Sequence, residues 1–197
     1  MNMNAKELKK LEKVLVQVGL RIAKRGEGAL FVVGDVEYKA LIDQTVPAFK
    51  VIDNPKLLES LALMDGAIII DKNGLLKAYG AMIKSTTTFR NFGTRHSAGL
   101  TASKNPNNLV IIISEEDRKI RILKNGKMMM QVDALQKNVE DSVSDAVNVL
   151  EGIGAGTLGA IGTSIIAPSL GLALLPGIVI FGSGYYLTKL LAKKIHG

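Results

Sequence analysis

Ala67-Ile68-Ile69-Ile70, then Asp71-Lys72-Asn73-Gly74, then Leu75-Leu76-Lys77-Ala78-Tyr79-Gly80-Ala81-Met82-Ile83: this stretch decides the fold. Two apolar runs flank a short polar segment that ends in glycine, which is the pattern of a β-hairpin. The same grammar recurs downstream. Leu109 to Ile113, Ile120 to Leu123 and Met128 to Val132 read as strands, with Asn125-Gly126 as the turn between the last two. Upstream, Ala29-Leu30-Phe31-Val32-Val33 reads as a buried strand that ends in a turn at Gly34-Asp35.

Helices bracket this strand-rich middle. Leu8, Leu11, Val14, Leu15, Val18 and Ile22 recur at steps of three and four, with Lys6, Lys9, Lys10 and Lys13 between them, so the spacing predicts an amphipathic helix. No aromatic residue interleaves those lysines to stack on bases, and the basic face is read as solvated rather than as a nucleic-acid surface. Asn54-Pro55 supplies a cap and a first-turn proline for a short helix through Leu57, Leu58 and Leu61. The expected architecture is therefore α/β, a mixed central β-sheet flanked by helices.

Beyond Val132 the period changes. Leu135, Val139, Val143, Ala146, Val147 and Leu150 form a helical stripe, read as an amphipathic connector helix over 133–151 that follows a strand-rich domain over 1–132. No charged residue then occurs between Glu151 and Lys189, a stretch of 37 residues rich in Gly, Ala, Ile and Leu. That length exceeds one membrane helix and falls slightly short of two full spans. Pro168-Ser169 and Gly171 sit near its middle, and Lys189, Lys193 and Lys194 follow it. Short basic flanks tend to stay cytoplasmic, so the expectation is a transmembrane hairpin of two helices within 152–190, one near 152–167 and one near 172–190. Gly152, Ala155, Gly156 and Gly159 would let such helices approach closely. Gly154, Gly156 and Gly159 also fit a dinucleotide-binding string. No strand precedes them and no acidic ribose ligand follows, so they are assigned to helix packing.

The bulk composition narrows the chemistry. The 197 residues suit one domain with an appendage. With 25 Lys and Arg against 18 Asp and Glu, the formal charge of +7 favours anionic partners. Cysteine is absent and only His96 and His196 are histidines, so thiol nucleophiles, Cys-based zinc sites and multi-histidine clusters are excluded. The N-terminus has no signal-peptide pattern, which places residues 1 to about 150 in the cytoplasm by expectation.

Three segments put polar or permissive residues at the edge of an apolar element. Asp65-Gly66-Ala67 precedes the Ile-rich strand, where a carboxylate can hold a metal or accept a proton. Gly93-Thr94-Arg95-His96-Ser97-Ala98-Gly99 opens a short helix whose backbone N–H groups and side chains suit phosphate oxygens. Ser114-Glu115-Glu116, with Asp117 next, ends the Leu109 to Ile113 strand and offers carboxylates for magnesium or manganese together with Asp65.

In this order these segments resemble the diadenylate cyclase domain family, also called the DisA N-terminal domain. Its signatures are a DGA triplet, a GTRHR-type motif about 30 residues later, and a strand ending in SEE. Here Asp65 to Arg95 is 30 positions and Arg95 to Glu116 is 21, and Gly28 to Asp35 looks like the family's first strand. The resemblance covers about residues 10 to 135.

It implies condensation of two ATP into cyclic di-AMP, with Mg2+ or Mn2+ as cofactor. Asp65, Arg95 and His96 are then the catalytic candidates, and Asp65 and Glu116 the metal ligands. Gly66, Ala67, Ile83, Thr94, Arg95, His96, Ser97, Ala98 and Ser114 would contact the nucleotide. A face-to-face homodimer or higher oligomer is implied, because the twofold product needs two reciprocal attacks. Ser97 stands where most members carry a second arginine. A hydroxyl lacks the charge and fork of guanidinium, which leaves reduced activity open. The alternatives are a non-catalytic nucleotide-binding module and a nucleotide-sensing membrane effector.

Overall fold

The first helix is set by its own sequence. Asn4 and Glu7 form a reciprocal capping box, and α1 runs over Ala5–Lys24. Its stripe of Leu11, Leu15, Val18 and Ile22 is fully buried. The computed structural model describes residues 3–43, 46–85, 93–154, 166–167, 172–175 and 177–181.

The strands are β1 (Ala29–Val33), β2 (Tyr38–Ala40), β3 (Ala67–Ile70), β4 (Leu76–Ile83), β5 (Leu109–Ile113), β6 (Lys119–Lys124) and β7 (Lys127–Asp133), with short β8 (Ile166–Ala167), β9 (Leu172–Leu175) and β10 (Ile178–Phe181). They form one sheet in the order β2-β4-β3-β1-β5-β6-β7-β10-β9-β8. Among the described strands only β1 and β3 pair in parallel, which makes the sheet mixed, as expected. The crossover between those two carries α2 (Pro55–Ala62). The β3–β4 hairpin closes as predicted, through Asp71, whose Oδ1 accepts the N–H groups of Asn73 and Leu75 at 2.8 and 2.9 Å.

Alternation along the strands divides the core. Phe31, Ile68, Ile70, Ile111 and Ile113 point to one face, where α1, α2 and α4 (Val139–Gly154) cover them. Leu30, Val32, Ile69, Val110 and Ile112 point to the other, covered by α3 (Thr94–Ser103) through Ala98, Leu100 and Ala102. Each such side chain contributes about 1.5–3 kcal/mol by leaving water. Because α3 is the element on the second face, its N-terminus borders a depression between it and the β2–β4 side of the sheet. That depression is the site.

Two departures concern the C-terminal third. The helix expected over 133–151 begins only at Val139, after a turn in which Asn138 has a φ of 59°. Its Val139, Val143, Ala146 and Val147 pack into the same core as α1, with Lys13 donating to Ser144 at 3.1 Å and Lys24 paired with Glu140. In the expected helical hairpin over 152–190, the described residues after α4 are strands instead. Ile178–Phe181 pairs antiparallel with β7, and Leu172–Leu175 with Ile178–Phe181. The reason is local and topological. Pro176-Gly177 interrupts any helix there, Ile178-Val179-Ile180 is β-branched, and β7 offers an edge to pair with. Among the described residues no helix is long and apolar enough to cross a membrane. The rest of the expected hairpin lies outside the described residues.

Candidate active site

The three segments meet at one end of the sheet, around two adjoining cavities. The larger, of about 670 Å³, has walls from Gly66, Ala67 and Ile83 of the hairpin and Thr94, Arg95 and Ala98 of α3. Its volume falls in the range of small-molecule sites. The smaller, of about 100 Å³, is enclosed by Gly93, Thr94, Arg95 and His96 on one side and Ile113, Ser114, Glu115 and Glu116 on the other. Thr94 and Arg95 belong to both walls, so the first turn of α3 is the partition between them.

That first turn is built for anions. Gly93 is an N-cap without a side-chain cap, and no acidic residue occurs in the first turn. The helix therefore presents its positive end uncompensated by a carboxylate of its own. Arg95 Nη1 lies 3.0 Å from Glu115 Oε2, a partly exposed pair that joins α3 to the end of β5.

Gly28 makes room for this pair. A Cβ at position 28 would lie 2.4 Å from Arg95 Nη1 and 3.2 Å from Glu115 Oε2. The atoms in the way are ends of flexible side chains, so Gly28→Ala should leave thermal stability within about 2 °C while moving the guanidinium. Misplacement of a catalytic group by an ångström costs up to about 100-fold. On the nucleotide chemistry that the family resemblance implies, turnover is expected to fall at least about tenfold, measured beside a melting curve. Unchanged turnover would remove Arg95 placement as a determinant.

His96 is half-buried against a second charged group. Arg121 of β6 places Nη1 3.3 Å from His96 Nε2 and 3.2 Å from Asp117 Oδ1, and its Nη2 contacts Asp117 Oδ2. Burial holds the His96 imidazolium below its ordinary pKa, the Arg121 charge adds to this, and Asp117 and Glu116 oppose it. Burial pushes the Asp117 carboxyl up, but hydrogen bonds from Arg121 and the Ser114 hydroxyl, with the Arg121 charge, outweigh it and hold the group below the usual carboxylate range.

Asp65 is exposed next to Gly66 at the mouth of the larger cavity, with Oδ1 accepting the Gly66 N–H at 3.0 Å. Glu116 lines the smaller cavity, so the two expected metal ligands do not share a wall. Among the described residues no group of three His, Cys, Asp or Glu gathers around a point. Hard carboxylate oxygens, one or two at a time, suit magnesium or manganese when phosphate and water complete the shell. Ser97, expected to bond a phosphate oxygen, is 5% exposed and lies in neither wall.

Several wall residues escaped the sequence reading. Glu37 just before β2, and Tyr38 and Lys39 of β2, reach the larger cavity, as do Met82, Lys84 and Ser85 from the end of β4 and beyond. Tyr38–Ala40 is short, polar and partly exposed, without the apolar run that marks a strand. Only pairing with β4 makes it one.

Residues 19–128 match the family described as "DisA bacterial checkpoint controller nucleotide-binding", and the chain belongs to that family. It is 29% identical over 136 residues to a diadenylate cyclase of Haloferax volcanii, covering 59% of this chain and 50% of that one. It is likewise 29% identical over 128 residues to the cyclic di-AMP synthase CdaA of Bacillus subtilis, covering 60% and 47%. The chain thus spans about half the length of the curated relatives it matches. A crystal structure of DacA from Staphylococcus aureus, a double mutant, superposes with a TM-score of 0.49 at 20% identity, covering 79% of this chain and all of that one.

Proposed function

We propose that this chain is a diadenylate cyclase, condensing two ATP into cyclic di-AMP with release of two pyrophosphates. The observation that carries the reading is the partition. One cavity large enough for a nucleoside adjoins a second, smaller one across Thr94 and Arg95, at an uncapped helix N-terminus. An adenosine group in the larger cavity would leave its phosphates beside the α3 N–H groups, Arg95 and His96.

In the reaction, the ribose 3'-oxygen of one ATP attacks the α-phosphorus of the other and the bond to pyrophosphate breaks. The hydroxyl proton passes to Asp65. Arg95 leaves Glu115 for the triphosphate and offsets the charge that develops in the transition state. Asp65 or Glu116, each with phosphate and water oxygens, would hold Mg2+ or Mn2+. When bound, the ion lowers the charge on phosphate and the pKa of the attacking hydroxyl. One attack closes half the ring, so two copies of the chain face each other, each presenting one ATP. Met82, 49% exposed and lining the larger cavity, supports an apolar contact there.

The test is to incubate the purified chain with ATP and either metal and to identify products by mass spectrometry. Cyclic di-AMP is expected. A folded protein that gives none with either metal sinks the reading, and ATP binding without product would instead mark a nucleotide-binding module.

A further inference from the structure

We propose that Arg121 is a positioning residue for His96, fixing the ring so that Nε2 is an acceptor and Nδ1 carries the proton. The inference rests on the cyclase reading for its kinetic consequence, but the contact itself does not. Arg121 sits on β6, outside every segment that the sequence marks as chemical. Its strand neighbours Ile120 and Ile122 are fully buried on the opposite face of the sheet. A guanidinium with 13% exposure needs partners, and it has two. Asp117 takes two of its nitrogens, and His96 Nε2 lies 3.3 Å from Nη1. Guanidinium is a donor only, so the contact with Nε2 assigns that nitrogen the acceptor role.

The arrangement is held from behind. Lys119 N–H donates to Asp117 Oδ1 at 3.3 Å, and the Ser114 hydroxyl bonds the same carboxylate. Asp117 thus ties the end of β5 to β6 and aims the guanidinium fork at the first turn of α3. The charged groups acting on His96 include Arg121 from β6 and Asp117 and Glu116 from the turn after β5, and of these three Arg121 is the donor to the ring. Turnover therefore depends on a residue that touches no reacting atom.

The sequence makes this directly measurable, since His96 and His196 are its only histidines. In the full chain carrying His196→Gln, ring ¹⁵N shifts near pH 8 should show the Nδ1–H tautomer for His96. Arg121→Met in that background, which removes the donor but keeps the length of the side chain, should shift the signals toward the Nε2–H form and lower kcat about 10- to 100-fold, with KM for ATP changed less than threefold. Arg121→Lys, which keeps a donor but not the fork, should recover part of the rate. If Arg121→Met does not fold because Asp117 has lost its partner, Arg121→Met with Asp117→Asn replaces it. An unchanged tautomer overturns the proposal, and so does a shifted tautomer with kcat within twofold of the parent. Should the parent chain make no cyclic di-AMP, the cyclase reading fails, while the tautomer measurement still decides whether Arg121 sets the ring.

Discussion

Asp65→Asn is expected to lower cyclic di-AMP formation by about 1,000-fold or more, the largest loss from any single change in this site. Amide and carboxylate are nearly isosteric, and an asparagine Oδ1 can still accept the Gly66 N–H that the aspartate accepts at 3.0 Å. The turn therefore keeps its hydrogen bond. What disappears is the negative charge and the basicity that proton removal and metal binding require, effects worth roughly 10²- to 10⁴-fold in general base catalysis alone. Because residue 65 is exposed, stability should move by no more than about 0.5 kcal/mol. The check pairs mass-spectrometric quantitation with a thermal melt. Activity within tenfold of the parent would remove Asp65 from both of its proposed roles.

Gly66→Ala, one position later in the same triplet, should do the opposite and act first on the fold. Gly66 has a φ of +100°, and a Cβ there would lie 2.6 Å from the Gly80 carbonyl carbon and 2.7 Å from the Ala81 nitrogen. These are backbone atoms of β4 and cannot swing aside. Gly80 itself has a φ of +57°, close to Ile42, so both sides of the contact are committed. The pairing of β3 with β4 already shifts register between Ala67 and Ile69. Strained backbone costs about 1–3 kcal/mol, and the clash adds to it. A loss of about 3 kcal/mol or more is expected, a melting temperature lower by roughly 6–12 °C for a chain of this size. Any loss of activity should track the loss of folded protein. A melting temperature within 2 °C of the parent would show that β3 and β4 can separate without cost.

The contrast explains why a three-letter motif is informative. Asp65 answers to chemistry and Gly66 to a backbone crossing, and the two demands are independent. A chance Asp-Gly turn meets one or the other. Paired with Arg95 and Glu116 at the right separations, the triplet marks the place where the hairpin passes α3.

The sequence by itself determined the periodic parts and the order of the chemistry. The 3.6-residue stripe of α1, the Ile-rich runs of β1, β3 and β5, and the Asn125-Gly126 turn all follow from local side-chain preferences, which act over a few residues and are therefore visible in a linear string. The three motifs were legible because each lies at the end of such an element. Only the tertiary structure decided the rest. Tyr38–Ala40 is a strand because β4 has an open edge, Ile178–Phe181 is one because β7 does, and Leu172–Leu175 is one because Ile178–Phe181 then does, although an uncharged glycine-rich tail reads equally well as helix. Ser97 is buried in the fold, and Arg121 joins the site across β6 with no motif around it. Strand pairing and burial depend on partners dozens of residues away, and that information exists only once the chain has folded.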